Sequence, residues 1–145
     1  MTYRRAENKD IFRIIEFRKI LLEREDDDSL DESLSAYFND SLNDGSLIAW
    51  VAEEENLIVS AVCLSICSLV PRFDNPSGKV AYMTNVYTVP NHRRMGIASR
   101  LIHKASDDAA AQGVKKILLH SSDEAASFYK NLGFSEGVNY FDMKI

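Results

Sequence analysis

The stretch Val86-Tyr87-Thr88-Val89-Pro90-Asn91-His92-Arg93-Arg94-Met95-Gly96-Ile97-Ala98-Ser99-Arg100-Leu101-Ile102 changes character twice. It begins as a β-branched and aromatic strand, passes through a basic turn, and opens a helix. That order makes an anion site, because a helix N-terminus leaves backbone N–H groups without intrahelical partners and carries roughly half a positive charge. Gly96 and Ala98 are small, so a phosphate can approach the main chain itself. The spacing is neither G-x-x-x-x-G-K-[ST] nor G-x-G-x-x-G, which sets aside the P-loop and the dinucleotide fingerprint.

Further along, Ser121-Ser122-Asp123-Glu124-Ala125-Ala126-Ser127-Phe128-Tyr129-Lys130-Asn131-Leu132-Gly133-Phe134 reads as a capped helix with Gly133 as its stop. Arg93-x-x-Gly96-x-Ala98 resembles the acetyl-coenzyme A loop of the GNAT-type N-acetyltransferases, [QR]-x-x-G-x-[GA]. The later segment resembles the same superfamily's N-x-x-A-x-x-[FL]-Y-x-x-x-G-F, with Ala125, Phe128, Tyr129, Gly133 and Phe134 in register and Ser122 where the pattern has Asn. The resemblance is strong in the C-terminal half and rests on element order in the N-terminal half.

Composition agrees. A chain of 145 residues is the size of one domain, read here as a single N-acetyltransferase domain over 1–145. With 46% hydrophobic and 27% charged residues and a net charge of −5, it reads as an acidic soluble protein without a basic patch for nucleic acid. Polar residues follow Met1, and no apolar run has the length of a membrane span, so no membrane partner and a cytoplasmic location are expected. Cys63 and Cys67 lie in one apolar run. Four residues of strand span roughly 13 Å, too far for a disulfide, so two buried free thiols are predicted. Three scattered histidines and these cysteines lack metal-ligand spacing, and no metal is expected.

The periodicities predict the order β-α-α-β-β-β-α-β-α-β. Tyr3 to Ala6 reads as a strand. A helix from Asn8 or Lys9-Asp10 presents Ile11, Ile14, Ile15, Arg18 and Leu22 on one face and fails at Glu25-Asp26-Asp27-Asp28. A second helix runs from Ser29 or Asp31 to Asn43-Asp44-Gly45. Strands at Leu47–Ala52 and Leu57–Ile66 flank a polar turn, Glu53-Glu54-Glu55-Asn56. Lys79–Val89 reads as a central strand. Gly96–Gln112 reads as a helix with Ile97, Leu101, Ile102, Ala105 and Ala109 inward and Gly113 as its stop. Lys116–His120 reads as a short buried strand, Ser121–Asn131 as a helix with Ser121 and Glu124 as a capping box, and Tyr140–Ile145 as a last strand. This is the order of the GNAT fold, an α/β class with a mixed, mostly antiparallel sheet and helices on both faces.

The resemblance implies that acetyl-CoA lies where the strand ending at Thr88 splays from the strand ending at His120. Val86, Tyr87 and Thr88 then pair with the pantetheine arm, and the backbone from Arg93 through Arg94, Met95, Gly96, Ile97, Ala98 and Ser99 cradles the pyrophosphate. Arg93 and Arg94 add charge, and Ser122 contacts the pantetheine or phosphate arm. The expected activity is acetyl transfer to a primary amine of a small molecule or peptide by direct attack on the thioester. The resemblance also gives Tyr129 the role of donor to the leaving thiolate. No acid occupies Tyr82 to Tyr87, so His120, whose neutral imidazole can take a proton at physiological pH, is the candidate base. A histidine that merely ends a strand is the plain alternative.

The missing carboxylate also leaves open a CoA-binding sensor or interaction module without catalysis. Glu23, Glu25, Asp26, Asp27, Asp28, Asp31 and Glu32 would draw a cationic acceptor such as a polyamine, an aminoglycoside or a basic side chain, unless they are a solvated charge run. A monomer or a homodimer is the usual state at this size.

Overall fold

The computed structural model describes residues 1–137 and 139–145. In chain order the elements are β1 (Thr2–Arg5), α1 (Ile11–Leu21), α2 (Asp31–Asp44), β2 (Leu47–Glu54), β3 (Leu57–Ser68), β4 (Lys79–Thr88), α3 (Ile97–Ala111), β5 (Lys116–Leu118) and α4 (Ala126–Asn131). The strands form one sheet in the order β1-β2-β3-β4-β5. All neighbours are antiparallel except β4 and β5, which run parallel because α3 crosses between them.

Two cores lie on opposite faces of this sheet. Ile11, Ile14, Ile15 and Phe17 of α1 and Phe38 of α2 pack on Leu47, Ala49, Val51, Ile58, Ala61 and Cys63. On the other face Ile97, Leu101, Ile102, Ala105 and Ala109 of α3 cover Ile48, Ala52, Val62, Leu64, Ala81 and Met83. The central strands therefore bury both sides and read as near-continuous apolar runs, whereas α3 shows a clean one-sided stripe.

The β2–β3 turn is where the charges predicted it, with Glu55 and Asn56 both at positive φ, 50° and 63°. That is the twist a two-residue hairpin needs. Helix α1 stops before its acidic run. Glu23 turns left-handed, and the N–H groups of Glu23 and Arg24 return to the Ile20 and Lys19 carbonyls at 3.0 and 2.9 Å, which closes the last turn without a glycine.

Several boundaries differ from expectation. Strand β1 begins and ends one residue earlier than Tyr3–Ala6, and β2 and β3 each run two residues longer. Phe17, not Leu22, completes the buried face of α1, because the Tyr87 ring receives it at 4.6 Å between centroids. Strand β5 stops at Leu118 and is only partly covered, since it is an edge strand among the described residues. Ser122 rather than Ser121 is the cap residue of the turn entering α4, and no side-chain capping bond forms there. Cys67 is exposed, and only Cys63 is buried. Tyr140–Ile145 form no strand and their side chains are largely exposed. Their alternation is real, but a strand exists only with a partner ladder, and none reaches them among the described residues.

Candidate acetyl-CoA site

Strands β4 and β5 pair at Val80↔Lys116, Ala81↔Ile117 and Tyr82↔Leu118, and the ladder ends there. From Met83 to Thr88, β4 continues past the end of β5. This leaves one edge of β4 open over the residues assigned to the pantetheine arm. A second feature re-aims that edge. Ala61 faces Tyr87 and Cys63 faces Thr84, so β4 carries an extra residue at Asn85–Val86. Asn85 takes φ 55° at this bulge, is 3% exposed, and donates from Nδ2 to the Ile14 carbonyl of α1 at 3.0 Å.

The end of β4 is pinned from below. Ser60, fully buried in β3, donates to the Tyr87 carbonyl at 2.7 Å, and its Oγ lies 2.8 Å from the Thr88 hydroxyl. After Thr88, a single 3-10 turn at Pro90–His92 carries the chain into the basic turn. His92 Nε2 meets Glu54 Oε2 at 2.7 Å, which ties this turn to the β2–β3 hairpin.

Arg94 has φ 62° and Gly96 has φ 73°, with Met95 between them. Alternation of this kind curls successive amides into a concave nest. The N–H groups from Arg94 to Ser99 have no acceptor among the described residues. A Cβ built on Gly96 would meet no atom within 4 Å, so the space before the nest is open to a ligand. Unpartnered amides, a helix N-terminus and open space together fit a pyrophosphate. The side chain of Arg93 folds back: its Nε donates to the Thr88 carbonyl at 3.0 Å and its guanidinium lies 5.7 Å from the Tyr87 ring. It braces the loop. Arg94, exposed and at the rim, has no ion pair among the described residues.

Tyr129, in α4, is half-buried and packs edge-on against Phe128 at 5.1 Å and Phe134 at 5.7 Å. Burial pushes its phenol above the ordinary value, so the hydroxyl remains a proton donor throughout the neutral range. Spacing explains the aromatic pair. Gly133 has φ 94°, and the N–H groups of Gly133 and Phe134 return to the Lys130 and Tyr129 carbonyls at 3.0 and 3.1 Å. This helix stop brings Phe134 onto Tyr129. Ser122 is exposed, and its hydroxyl has no partner among the described residues.

His120 lies just beyond β5, exposed, with the Tyr82 hydroxyl in contact with Nδ1 and the Tyr140 ring 5.4 Å away, edge-on. The sequence alone does not single out Asn85, Ser60 or Tyr82. A lone Asn within a β-branched strand is a signal for positive φ, and a Ser inside the apolar run 58–66, which holds Ser60 and Ser65, is a signal for a buried hydrogen bond. Tyr82 carries no such mark.

The family model for the acetyltransferase (GNAT) family matches residues 13–134. A protein of Clostridium acetobutylicum described as a predicted acetyltransferase, solved with acetyl-CoA, is 31% identical, with 99% of this chain and 95% of that chain covered and a TM-score of 0.89. An uncharacterised N-acetyltransferase of Bacillus subtilis is 26% identical over 75% of this chain and 72% of its own length. A glucosamine 6-phosphate N-acetyltransferase of Trypanosoma brucei brucei is 30% identical over 44% of each chain. With the family model matching residues 13–134, this chain is a member of the acetyltransferase (GNAT) family, an N-acetyltransferase.

Proposed function

We propose that the protein transfers the acetyl group of acetyl-CoA to a primary amine of a small molecule or peptide by direct attack on the thioester. The observation that carries the donor half is the run of unpartnered amides from Arg94 to Ser99 before open space at Gly96. In this reading the β4 edge from Val86 to Thr88 pairs with the pantetheine arm, and the amides from Arg94 to Ser99 hold the pyrophosphate, the Arg93 N–H being already donated to the Pro90 carbonyl at 3.2 Å. Ser122 adds a hydroxyl to the arm. The donor supplies an acyl group already activated as a thioester.

The acceptor arrives as an ammonium and must lose a proton before it is nucleophilic. His120 takes that proton, directly or through water. With Nδ1–H donated to the Tyr82 hydroxyl oxygen, Nε2 is left as acceptor. The amine nitrogen then bonds to the carbonyl carbon, a backbone N–H near Val86 steadies the oxygen, and the C–S bond breaks. Tyr129 protonates the departing thiolate and is reprotonated, through water, by the second proton that the acetylated nitrogen sheds, so that the one proton released overall leaves through His120.

The acceptor is an amine, and its charge is the open variable. The acids between α1 and α2 favour a cation, although Lys19 already pairs with Asp28 and Asp31 at 2.7 and 3.1 Å. The partial relative from Trypanosoma brucei brucei is named for an amine that carries a phosphate.

The test is free-thiol release from acetyl-CoA in the presence of a mixed amine library. Turnover is expected, and Tyr129→Phe lowers kcat by about tenfold or more. Because the phenol titrates above its ordinary value, the wild-type rate shows no loss assignable to Tyr129 below about pH 10. Tight CoA binding without turnover on any amine would instead identify a CoA-binding sensor.

A further inference from the structure

Residues of β4 alternate faces up to the bulge and then change phase. Ala81 and Met83 belong to the core beneath α3, and simple alternation would send residue 85 there as well. Instead Val86 joins that core, Tyr87 joins the core beneath α1, and Asn85 reaches the Ile14 carbonyl in α1. Two separate demands meet at this position. The backbone needs φ 55°, which favours Gly, Asn or Asp, and the buried contact needs a donor, which leaves Asn alone of the three.

The Ile14 carbonyl lies within α1, where it also accepts the helical bond from Arg18. Three residues on, Phe17 stacks on Tyr87 at 4.6 Å. Helix α1 is thus held to β4 by a hydrogen bond and a ring contact that bracket Val86, within the open edge. Any ligand that pairs with Val86 to Thr88 loads the strand to which α1 is clamped.

The geometry points to Asn85 as a positioning residue that couples occupancy of the β4 edge to the stability of α1, the helix that leads into the acidic loop. The inference rests on CoA binding along β4 as proposed above. Asn85 itself touches neither donor nor acceptor. It acts by fixing the phase of the strand and the seat of the helix together.

The test compares amide exchange in α1 with and without CoA, by NMR, in the full-length wild type and in Asn85→Gly. Glycine keeps the positive φ without strain and removes the donor. In the wild type, CoA slows exchange from Ile14 to Leu21 by about tenfold. In Asn85→Gly the same amides keep their CoA-free rates. The CoA Kd changes by less than about threefold, because the open form of α1 is a minor state in either protein. Should the glycine variant fail to fold, Asn85→Ala serves, since it also removes the donor, places no acid against the Ile14 carbonyl and avoids the extra backbone freedom of glycine.

Equal CoA protection of α1 in wild type and variant overturns the coupling while leaving the CoA site intact. Absence of CoA binding to the wild type overturns both the site and the coupling, and the two failures are told apart by the binding measurement.

Discussion

Charged residues matter most where burial leaves them no alternative partner. Asp10 is 5% exposed and receives Arg4 at 2.6 and 2.9 Å and the Glu7 N–H at 2.8 Å, while Arg4 also reaches Glu53 on β2. The three residues fasten the start of α1 to the β1–β2 edge. Burial alone would raise the Asp10 carboxyl, yet the Arg4 guanidinium and the Glu7 amide outweigh it and hold it below the usual carboxylate range. A carboxyl depressed by folding contributes stability that is complete above its unfolded pKa and is lost as pH falls through the folded value. Asp10→Asn therefore lowers stability by about 2 kcal/mol at neutral pH. It also flattens the acid side of the stability curve below about pH 4. Urea melts of both proteins from neutral to acid pH test this, and parallel curves would show that Asp10 does not carry the acid slope. At Gly96 the positive φ of 73° coincides with open space where a Cβ would stand.

Among the elements, the helix stop after Tyr129 sets how its ring is packed. Gly133 accepts φ 94°, and Phe134 closes on the Tyr129 ring. Gly133→Ala forces a Cβ into that conformation at a cost of about 1–2 kcal/mol. For a chain of this size that lowers Tm by about 3–6 °C. Because the strain is local, exchange over Ala126–Phe134 rises more than over α3; a uniform rise across both helices would place the strain elsewhere. Elements of this kind were legible because their signals are local. The five inward residues of α3, the hairpin at Glu55-Asn56 and the glycine stops all follow from periodicity or φ preference within a few residues. What the sequence hides depends on partners distant along the chain. The bulge at Asn85 is defined by the strand opposite, and the gap beyond Leu118 is a ladder that ends. Tyr140–Ile145 show the converse, a period-two pattern without a neighbour to pair with among the described residues. Family motifs supplied the nest and Tyr129, whereas the buried supports at Ser60 and Asn85 became visible only once β3, β4 and α1 were packed together.

Across the whole molecule the charges are unevenly placed. The net charge is −5, and the acids Glu23, Glu25, Asp26, Asp27, Asp28, Asp31 and Glu32 gather between the end of α1 and the first turn of α2. The amide nest, with Arg93 and Arg94, stands at the start of α3 on the opposite side of the sheet from α1 and α2. An anionic donor and a cationic acceptor would each find the field that suits it. Lys19 offsets part of the acidic group through Asp28 and Asp31, so the remaining attraction is long-range and open to screening. Thermal shifts with CoA present then separate the acceptor classes. A polyamine at about a hundred times its Kd adds about 2.7 kcal/mol of stability. In a protein of this size that is a rise of about 5–10 °C in Tm. Glucosamine 6-phosphate and neutral amines at the same concentration add less. Raising salt to about 1 M shortens the screening length to about 3 Å and removes most of the polyamine advantage. Lys19→Met, which frees Asp28 and Asp31, enlarges that advantage at low salt. Equal shifts for cationic, neutral and phosphorylated amines, or a polyamine shift indifferent to salt, would mean that the acidic loop is a solvated surface and that acceptor choice is made by contacts within the cleft.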